Sequence, residues 1–297
     1  LASPIIKVVN GDADTAKDLL ELDFDHIFYT GSTHVGRLIM EKASAKLTPV
    51  TLELGGKSPC IIDENTDIDL AAKRIMWAKC LNAGQTCIAP DYVLVDPKYF
   101  DRFVIKAKES LVNMFGVNPI LSRDFGRIIN ERHFDRLISY LKDGTVHGGK
   151  HDREKKYIEP SIITEVKLDS PLMQEEIFGP LLPVIPMEFS KAMDFIKKRP
   201  HPLALYLFSN QKKSVDKVLS QTLSGGVCIN DCLSHVGISG LPFGGVRHSG
   251  IGSYHGVFGF NTFSHFRAVH KRALFLDNPI KYPPYSPTKL KLVKMVM

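Results

Sequence analysis

Short apolar runs alternate with amphipathic stretches along most of the chain. From the first residues the pattern predicts a strand at Ile5–Val9, a helix at Asp14–Leu22, a strand at Ile27–Tyr29, a helix at Val35–Lys46 and a strand at Val50–Leu54. One helix between each pair of strands implies right-handed crossovers and a parallel sheet. The rhythm continues with a helix at Ile68–Leu81, a strand at Tyr92–Val95 and a long helix at Tyr99–Met114, in which Phe100, Phe103, Val104, Ala107, Leu111 and Met114 recur at three- and four-residue steps. Beyond a loop-rich middle containing His147-Gly148-Gly149-Lys150, strands are predicted at Ile158–Thr164, Leu182–Met187, Leu203–Phe208 and Gly226–Asn230. Helices at Phe189–Lys198 and Ser214–Gln221 complete a second α/β unit. Pro279, Pro283, Pro284 and Pro287 predict an irregular tail from about Leu274. A strand ending on Gly55-Gly56 places a domain boundary there, between 1–54 and 55–230, and residues 231–297 are read as a further return segment and C-terminal arm.

Composition narrows the classes. The 297 residues are 44% hydrophobic and 24% charged, which describes a globular protein and excludes disorder and fibre. The charge of +6, from 38 Lys plus Arg against 32 Asp plus Glu, is spread without a basic stripe, so nucleic acid is not expected as a partner. Cys60, Cys80, Cys87, Cys228 and Cys232 are too few and too irregular for a disulfide framework, which predicts a reducing, cytoplasmic compartment. No apolar run approaches the roughly 18 residues of a membrane span. The chain opens at Leu1 with neither an initiator Met nor a leader pattern, so a fragment of a longer polypeptide is expected.

Five segments are candidates for chemistry. Tyr29-Thr30-Gly31-Ser32-Thr33-His34-Val35-Gly36 runs from strand into glycine-bracketed loop into helix; it reads as an anion cradle or as a tight βα turn. Leu52-Glu53-Leu54-Gly55-Gly56-Lys57-Ser58-Pro59 sets a carboxylate among leucines, where desolvation raises its pKa toward a general base, unless Glu53 is an exposed strand end. Asn82-Ala83-Gly84-Gln85-Thr86-Cys87 puts a thiol in a loop beyond a helix; backbone N–H groups there would lower its pKa and bind an oxyanion, the alternative being a buried inert cysteine. Met173-Gln174-Glu175-Glu176-Ile177-Phe178-Gly179-Pro180 suits ribose hydroxyls and a flat ring, or is a charged loop edge. The loop Leu241–Gly250, with Pro242-Phe243-Gly244-Gly245, is glycine-rich and reads alone as a flexible connection. No metal-ligand spacing and no G-x-S-x-G elbow is present.

In their order these segments resemble the aldehyde dehydrogenase superfamily, with G-S-T-x-x-G, E-L-G-G-K-S-P, N-x-G-Q-T-C, E-E-I-F-G-P and P-F-G-G following one another. Phe24–Ile27, Ala89–Tyr92, Pro202–Tyr206 and Phe263–His265 are similar to the class-three branch, which includes fatty aldehyde dehydrogenases. The resemblance implies an α/β fold with part of a Rossmann-type cofactor domain, a second α/β catalytic domain and a C-terminal oligomerisation arm. It implies NAD(P)-dependent oxidation of medium- or long-chain aliphatic or aromatic aldehydes to carboxylic acids, with Cys87 as nucleophile and Glu53 as general base. It further places Gly31, Ser32, Thr33 and Gly36 at the pyrophosphate of NAD or NADP, Glu176 on the nicotinamide ribose and Phe178 against the nicotinamide, with Lys57 structural. A homodimer is implied.

Family members extend upstream of the position matching Leu1. That part supplies most of the cofactor sheet, the adenosine-ribose contacts and the Asn of the oxyanion hole, so a silent associating form and a cofactor-independent esterase are the competing readings. Arg247 stands where the branch has Gly in P-F-G-G-V-G-x-S-G; it either strains a positive-φ turn or alters a substrate entrance. The basic, apolar tail Lys289–Met297 reads as a solvated arm, with weak contact to an anionic membrane surface as the lesser alternative.

Overall fold

The computed structural model describes residues 5–275 and 277–296. The chain divides into one unit running to Phe263 and a second from Ser264 onward. Among the described residues twelve strands form, in chain order β1 (Ile27–Thr30), β2 (Val50–Glu53), β3 (Pro59–Ile62), β4 (Tyr92–Val95), β5 (Thr145–His147), β6 (His151–Asp152), β7 (Tyr157–Ile158), β8 (Ser161–Thr164), β9 (Leu181–Pro186), β10 (Ala204–Phe208), β11 (Gly226–Ile229) and β12 (Gly250–Ile251). A small sheet has the order β1-β2-β12, a large one the order β11-β10-β3-β4-β9-β8-β5, and β6 pairs with β7.

The large sheet is parallel except for its edge strand β5, which runs antiparallel to β8. Its central strands are apolar on both faces, as a sheet covered on both sides requires. Cys60, Ile62, Val93, Val95, Tyr206 and Phe208 face one core, which the helices Ile68–Cys80 and Phe100–Phe115 complete. Ile61, Tyr92, Leu94, Leu205 and Leu207 face the other, against the helices Phe189–Lys197 and Lys212–Gln221. The periodicity of the long helix is realised as predicted: Phe103, Val104, Ala107 and Leu111 are buried, and burying a side chain such as Phe103 stabilises by about 1.5–3 kcal/mol.

Several expectations are corrected. Ile5–Val9 forms no strand; Ile5, Ile6 and Val8 are exposed, and β2 pairs with β1 on one side and β12 on the other instead. The preceding residues 1–4 lie outside the described residues. The central strand β3 escaped the pattern because it opens on Pro59, a position where a missing N–H is tolerated. The single strand foreseen at Ile158–Thr164 is broken around Pro160 into β7 and β8. The middle is less loop-rich than its composition suggests: the helix Glu131–Ser139 starts on an Asn130 cap, and β5 carries His147. In the second unit Pro287 opens a helix, Pro287–Val296, because the first helical position needs no donor; Ser286 caps it at the Lys289 N–H.

The small sheet contains one antiparallel pair, where Gly250 lies opposite Glu53 and Ile251 opposite Leu52. The turn into β12 passes through Arg247 at φ 56, the left-handed region. The angle supports the backbone-strain reading of this residue. Holding a non-glycine residue there costs about 1–2 kcal/mol. Arg247→Gly is therefore expected to raise the urea midpoint by the equivalent of about 1 kcal/mol without changing the slope of the transition; an unchanged or lowered midpoint would contradict this account.

Candidate active site

The candidate site lies where the ends of the two sheets meet. β2 ends on Glu53, and β3, β4 and β9 begin just after the loops that carry Gly55-Gly56, Cys87 and Glu176. The carboxyl end of the small sheet thus faces the amino ends of the large one. Glu53 is fixed through its backbone, opposite Thr30 on one side and Gly250 on the other, with its carbonyl accepting from the Gly31 N–H at 3.0 Å. Its side chain is 2% exposed, and neither carboxylate oxygen has a hydrogen-bond partner among the described residues. Burial alone pushes its pKa to about 8. The alternative of an exposed strand-end glutamate is thereby removed.

The thiol loop follows the helix Ile68–Cys80 through a sharp reversal, with Asn82, Ala83 and Gly84 all left-handed at φ 50, 53 and 75. Gln85 locks it: its amide nitrogen donates to the carbonyls of Asn82 and Arg127, and its amide oxygen accepts from the Ile129 N–H at 2.9 Å. A Cβ on Gly84 would stand 2.2 Å from the Gly179 carbonyl oxygen, so the loop bearing Glu176 rests directly on the loop bearing Cys87. Burial pushes the half-buried Cys87 thiol up to about 11, and the negative charges of Glu176 and Glu53 add to the rise. The backbone N–H groups of Cys87 and Ile88 act in the lowering direction and are outweighed. The lowered pKa expected from the loop setting is therefore reversed, and this thiol needs a base.

Glu176 is set by the segments around it. Its carboxylate lies so close over Gly55 that a Cβ there would be 1.8 Å from an oxygen. Burial, reinforced by Asp91, pushes its pKa to about 8, against the Gly56 N–H and Lys57. Arg136, on the helix Glu131–Ser139, donates to the carbonyls of Glu176 at 3.0 Å and Ile177 at 2.7 Å. Lys57 pairs with Asp91 and donates to the carbonyls of Leu172 at 2.8 Å and Glu175 at 2.7 Å, while Asp91 accepts from the Ile177 N–H at 2.9 Å. The structural role read for Lys57 is thus visible in its bonds.

A cleft of about 570 Å³ brings Thr33 and Glu176 to one cavity, together with Gly56, Lys57, Arg199, His201 and His248. Thr33 opens the helix Thr33–Ser44. The Ser32 hydroxyl caps this helix at the Val35 N–H, and the Thr33 hydroxyl donates to the His248 carbonyl at 3.1 Å. Both hydroxyls are committed, which leaves the first N–H groups of the helix for an anion. Gly36, in the first turns of the same helix, also lets it pack close on Leu54, since a Cβ there would meet Leu54 at 2.6 Å. Phe178 is half-buried at φ 47 and does not line the cleft. Sequence patterns gave no warning of Arg136, nor of Tyr254, whose pKa is raised by burial and then by Glu53 and Cys87. Tyr254 packs edge-on to Phe28 and Phe243, and only pairing in space brings it here. Among the described residues no group of side chains is arranged to hold a metal ion.

This fold and site define a member of the aldehyde dehydrogenase family, and residues 2–269 match that family's model. The chain belongs to the aldehyde dehydrogenase family. It is 48% identical to the dimeric NADP-preferring aldehyde dehydrogenase of Mus musculus over 95% of its length and 63% of the mouse protein. It is 46% identical to aldehyde dehydrogenase family 3 member A2 of Rattus norvegicus, over its full length and 62% of the rat protein. The substrate-bound Staphylococcus aureus AldH structure superposes with a TM-score of 0.94 at 41% identity, covering 98% of this chain and 64% of that one. The chain therefore spans less than two thirds of the relatives it matches.

Two measurements probe this geometry. Lys57→Met leaves Asp91 buried and unpaired, so it is expected to cost about 3–5 kcal/mol in urea unfolding, with Lys57→Met/Asp91→Leu recovering part of the loss; an equal or larger loss in the double variant would count against the pairing. Glu53 binds its proton more tightly folded than unfolded, so its contribution is full below pH 4.5 and is lost as pH rises toward about 8. Stability of the parent relative to Glu53→Gln should fall over that window by no more than about 1.4 kcal/mol per pH unit, and a flat difference would refute the shifted pKa.

Proposed function

We propose that this chain carries the catalytic groups of an NAD(P)-dependent aldehyde dehydrogenase, with Cys87 as nucleophile and Glu53 as its base. One observation carries the reading: a buried carboxylate whose pKa burial pushes to about 8, with no hydrogen-bond partner among the described residues, shares its surroundings with a thiol held protonated near neutral pH. A base poised near the working pH is what such a thiol requires. Glu53 takes the Sγ proton as Cys87 adds to the aldehyde carbon, and the Cys87 N–H supports the oxygen that becomes anionic. Glu53 then takes a proton from the water that hydrolyses the thioester, which releases the carboxylic acid.

The residues present suit a dinucleotide. Thr33 and its neighbours Gly31 and Ser32 offer a helix N-terminus to the pyrophosphate, with Gly36 seating that helix on Leu54. Glu176 faces the same cleft with a carboxylate for ribose hydroxyls, and Phe178 is the ring we assign to the nicotinamide side. When bound, the cofactor supplies the hydride acceptor. The NADP-preferring and dimeric descriptions of the mouse relative support NADP as one of the two cofactors and a homodimer. Aldehydes of medium to long chain or aromatic character are the substrates we favour. Five free cysteines support a reducing, cytoplasmic setting, and no helix among the described residues is long and apolar enough to cross a membrane.

The test is formation of reduced nicotinamide, followed by its absorbance, from the purified chain with NAD or NADP and a medium-chain aldehyde. Cys87→Ala should abolish the signal, and Glu53→Gln should lower it by about 10²–10⁴-fold. Undiminished turnover in Cys87→Ala, or no signal from the unsubstituted chain, would overturn the reading for this chain.

A further inference from the structure

A second thiol site lies away from Cys87, on the face of the large sheet that packs against the helix Ile68–Cys80. The register of three adjacent strands aligns Cys228 of β11, Tyr206 of β10 and Cys60 of β3, so their side chains point to the same face. Cys228 Sγ lies 3.0 Å from Nδ1 of His235 and 3.7 Å from the Ser234 hydroxyl. The other ring nitrogen of His235 is buried without a partner among the described residues, and the ring packs against Tyr206 and Phe243 at 6.2 Å. Cys232 lies within a turn in which Asn230 and Leu233 are left-handed, in the same core cluster as Cys60 and Cys228, whose thiols add to the burial that raises its pKa. Three thiols and one imidazole are thus gathered in one region of the core.

The chemical contrast with Cys87 is direct. Cys87 has carboxylates as neighbours, whereas Cys228 has an imidazole at hydrogen-bond distance, the arrangement that generates a thiolate at the moment of attack. Cys228 is 7% exposed and sits beside His235, which leads into the exposed segment Val236–Pro242, whereas Cys60 and Cys232 are at 0% and 1%. Of the three thiols Cys228 is the most exposed, so a small uncharged oxidant meets it first.

We propose that Cys228 and His235 form a modification site for hydroperoxides, with Cys232 as the resolving thiol. Nδ1 of His235 takes the Cys228 proton, and the sulfur attacks the terminal peroxide oxygen. The O–O bond breaks, the leaving hydroxide or alkoxide collects the proton from His235, and Cys228 becomes the sulfenic acid. The Cys232 sulfur then attacks Cys228 Sγ, displaces water and closes a disulfide, so the peroxide's two electrons come from the two thiols. Tyr206, between Cys228 and Cys60 in the register, donates its hydroxyl to the Ile88 carbonyl at 2.5 Å, which connects this region to the residue after Cys87. The site is independent of the dehydrogenase reading.

The experiment treats the full chain with hydrogen peroxide in modest excess, with a dimedone trap, and maps tryptic peptides by mass spectrometry. Cys228 and Cys232 fall on one peptide, between Lys217 and Arg247, and Cys60 on another. The expected product is the 218–247 peptide lighter by two hydrogens. Cys232→Ser should instead carry dimedone on Cys228, and Cys228→Ser should leave Cys232 reduced. His235→Gln should slow Cys228 oxidation at least about tenfold. Oxidation confined to Cys87, a cross-link from Cys60 to Cys232 with Cys228 intact, or Cys232 oxidised at an unchanged rate in Cys228→Ser would each overturn the assignment. Because serine differs from cysteine by one atom, that last variant keeps the test independent of whether His235→Gln folds.

Discussion

The buried pair of Lys57 and Asp91 is the point to which three loops of the candidate site are tied. Lys57 belongs to the segment after β2, Asp91 to the segment after Cys87, and both reach the stretch Leu172–Ile177, through its carbonyls and one N–H respectively. Neither charge is compensated by water, since their side chains are 10% and 4% exposed. Removing either partner therefore leaves an ion in an apolar interior, a loss of several kcal/mol, which is why the three loops hold one relative position. The reactivity of the site follows from this arrangement. With the loops held in this position, Glu53 and Glu176 lose solvent and their pKa values rise, and the nearby Cys87 thiol is kept protonated by the same desolvation.

Local geometry and long-range ties act on the same atoms. The left-handed run Asn82–Gly84 stops the preceding helix abruptly, and the absence of a side chain at Gly84 admits the Gly179 carbonyl at close range. Gln85 then makes three bonds across the loop, so the strain of the reversal is held by neighbours rather than by the loop itself. Arg136 does the same for the Glu176 segment from the opposite side, with its guanidinium on two successive carbonyls.

How much of this was legible in the sequence depended on whether the cause was local. Helices with a regular apolar stripe, such as Phe100–Phe115, and strands such as β4 declare themselves by period. The motifs bearing Glu53, Cys87 and Glu176 were visible because glycine and proline punctuate them. Hidden were features decided by distant partners: β3, masked by Pro59 and visible only once β4 and β10 flank it; the antiparallel return of β12 beside β2; and Arg136 and Tyr254, which carry no motif. Even the sign of the Cys87 shift belonged to this class, since the loop contributes N–H groups in one direction while burial and two carboxylates contribute more in the other.

The pairing of β2 with β12 has a consequence for how the molecule is made. Glu53 is held in register by Gly250, about 200 residues later in the chain, and contacts of such separation close last because their loop entropy is repaid only when the intervening parts are in place. On a ribosome, which releases the N-terminal portion first, the loops around Cys87 and Glu176 can be assembled while the carboxylate still lacks its second strand. Completion of the reactive pair is then a late event of synthesis, reserved for chains that have emerged as far as the small sheet's third strand.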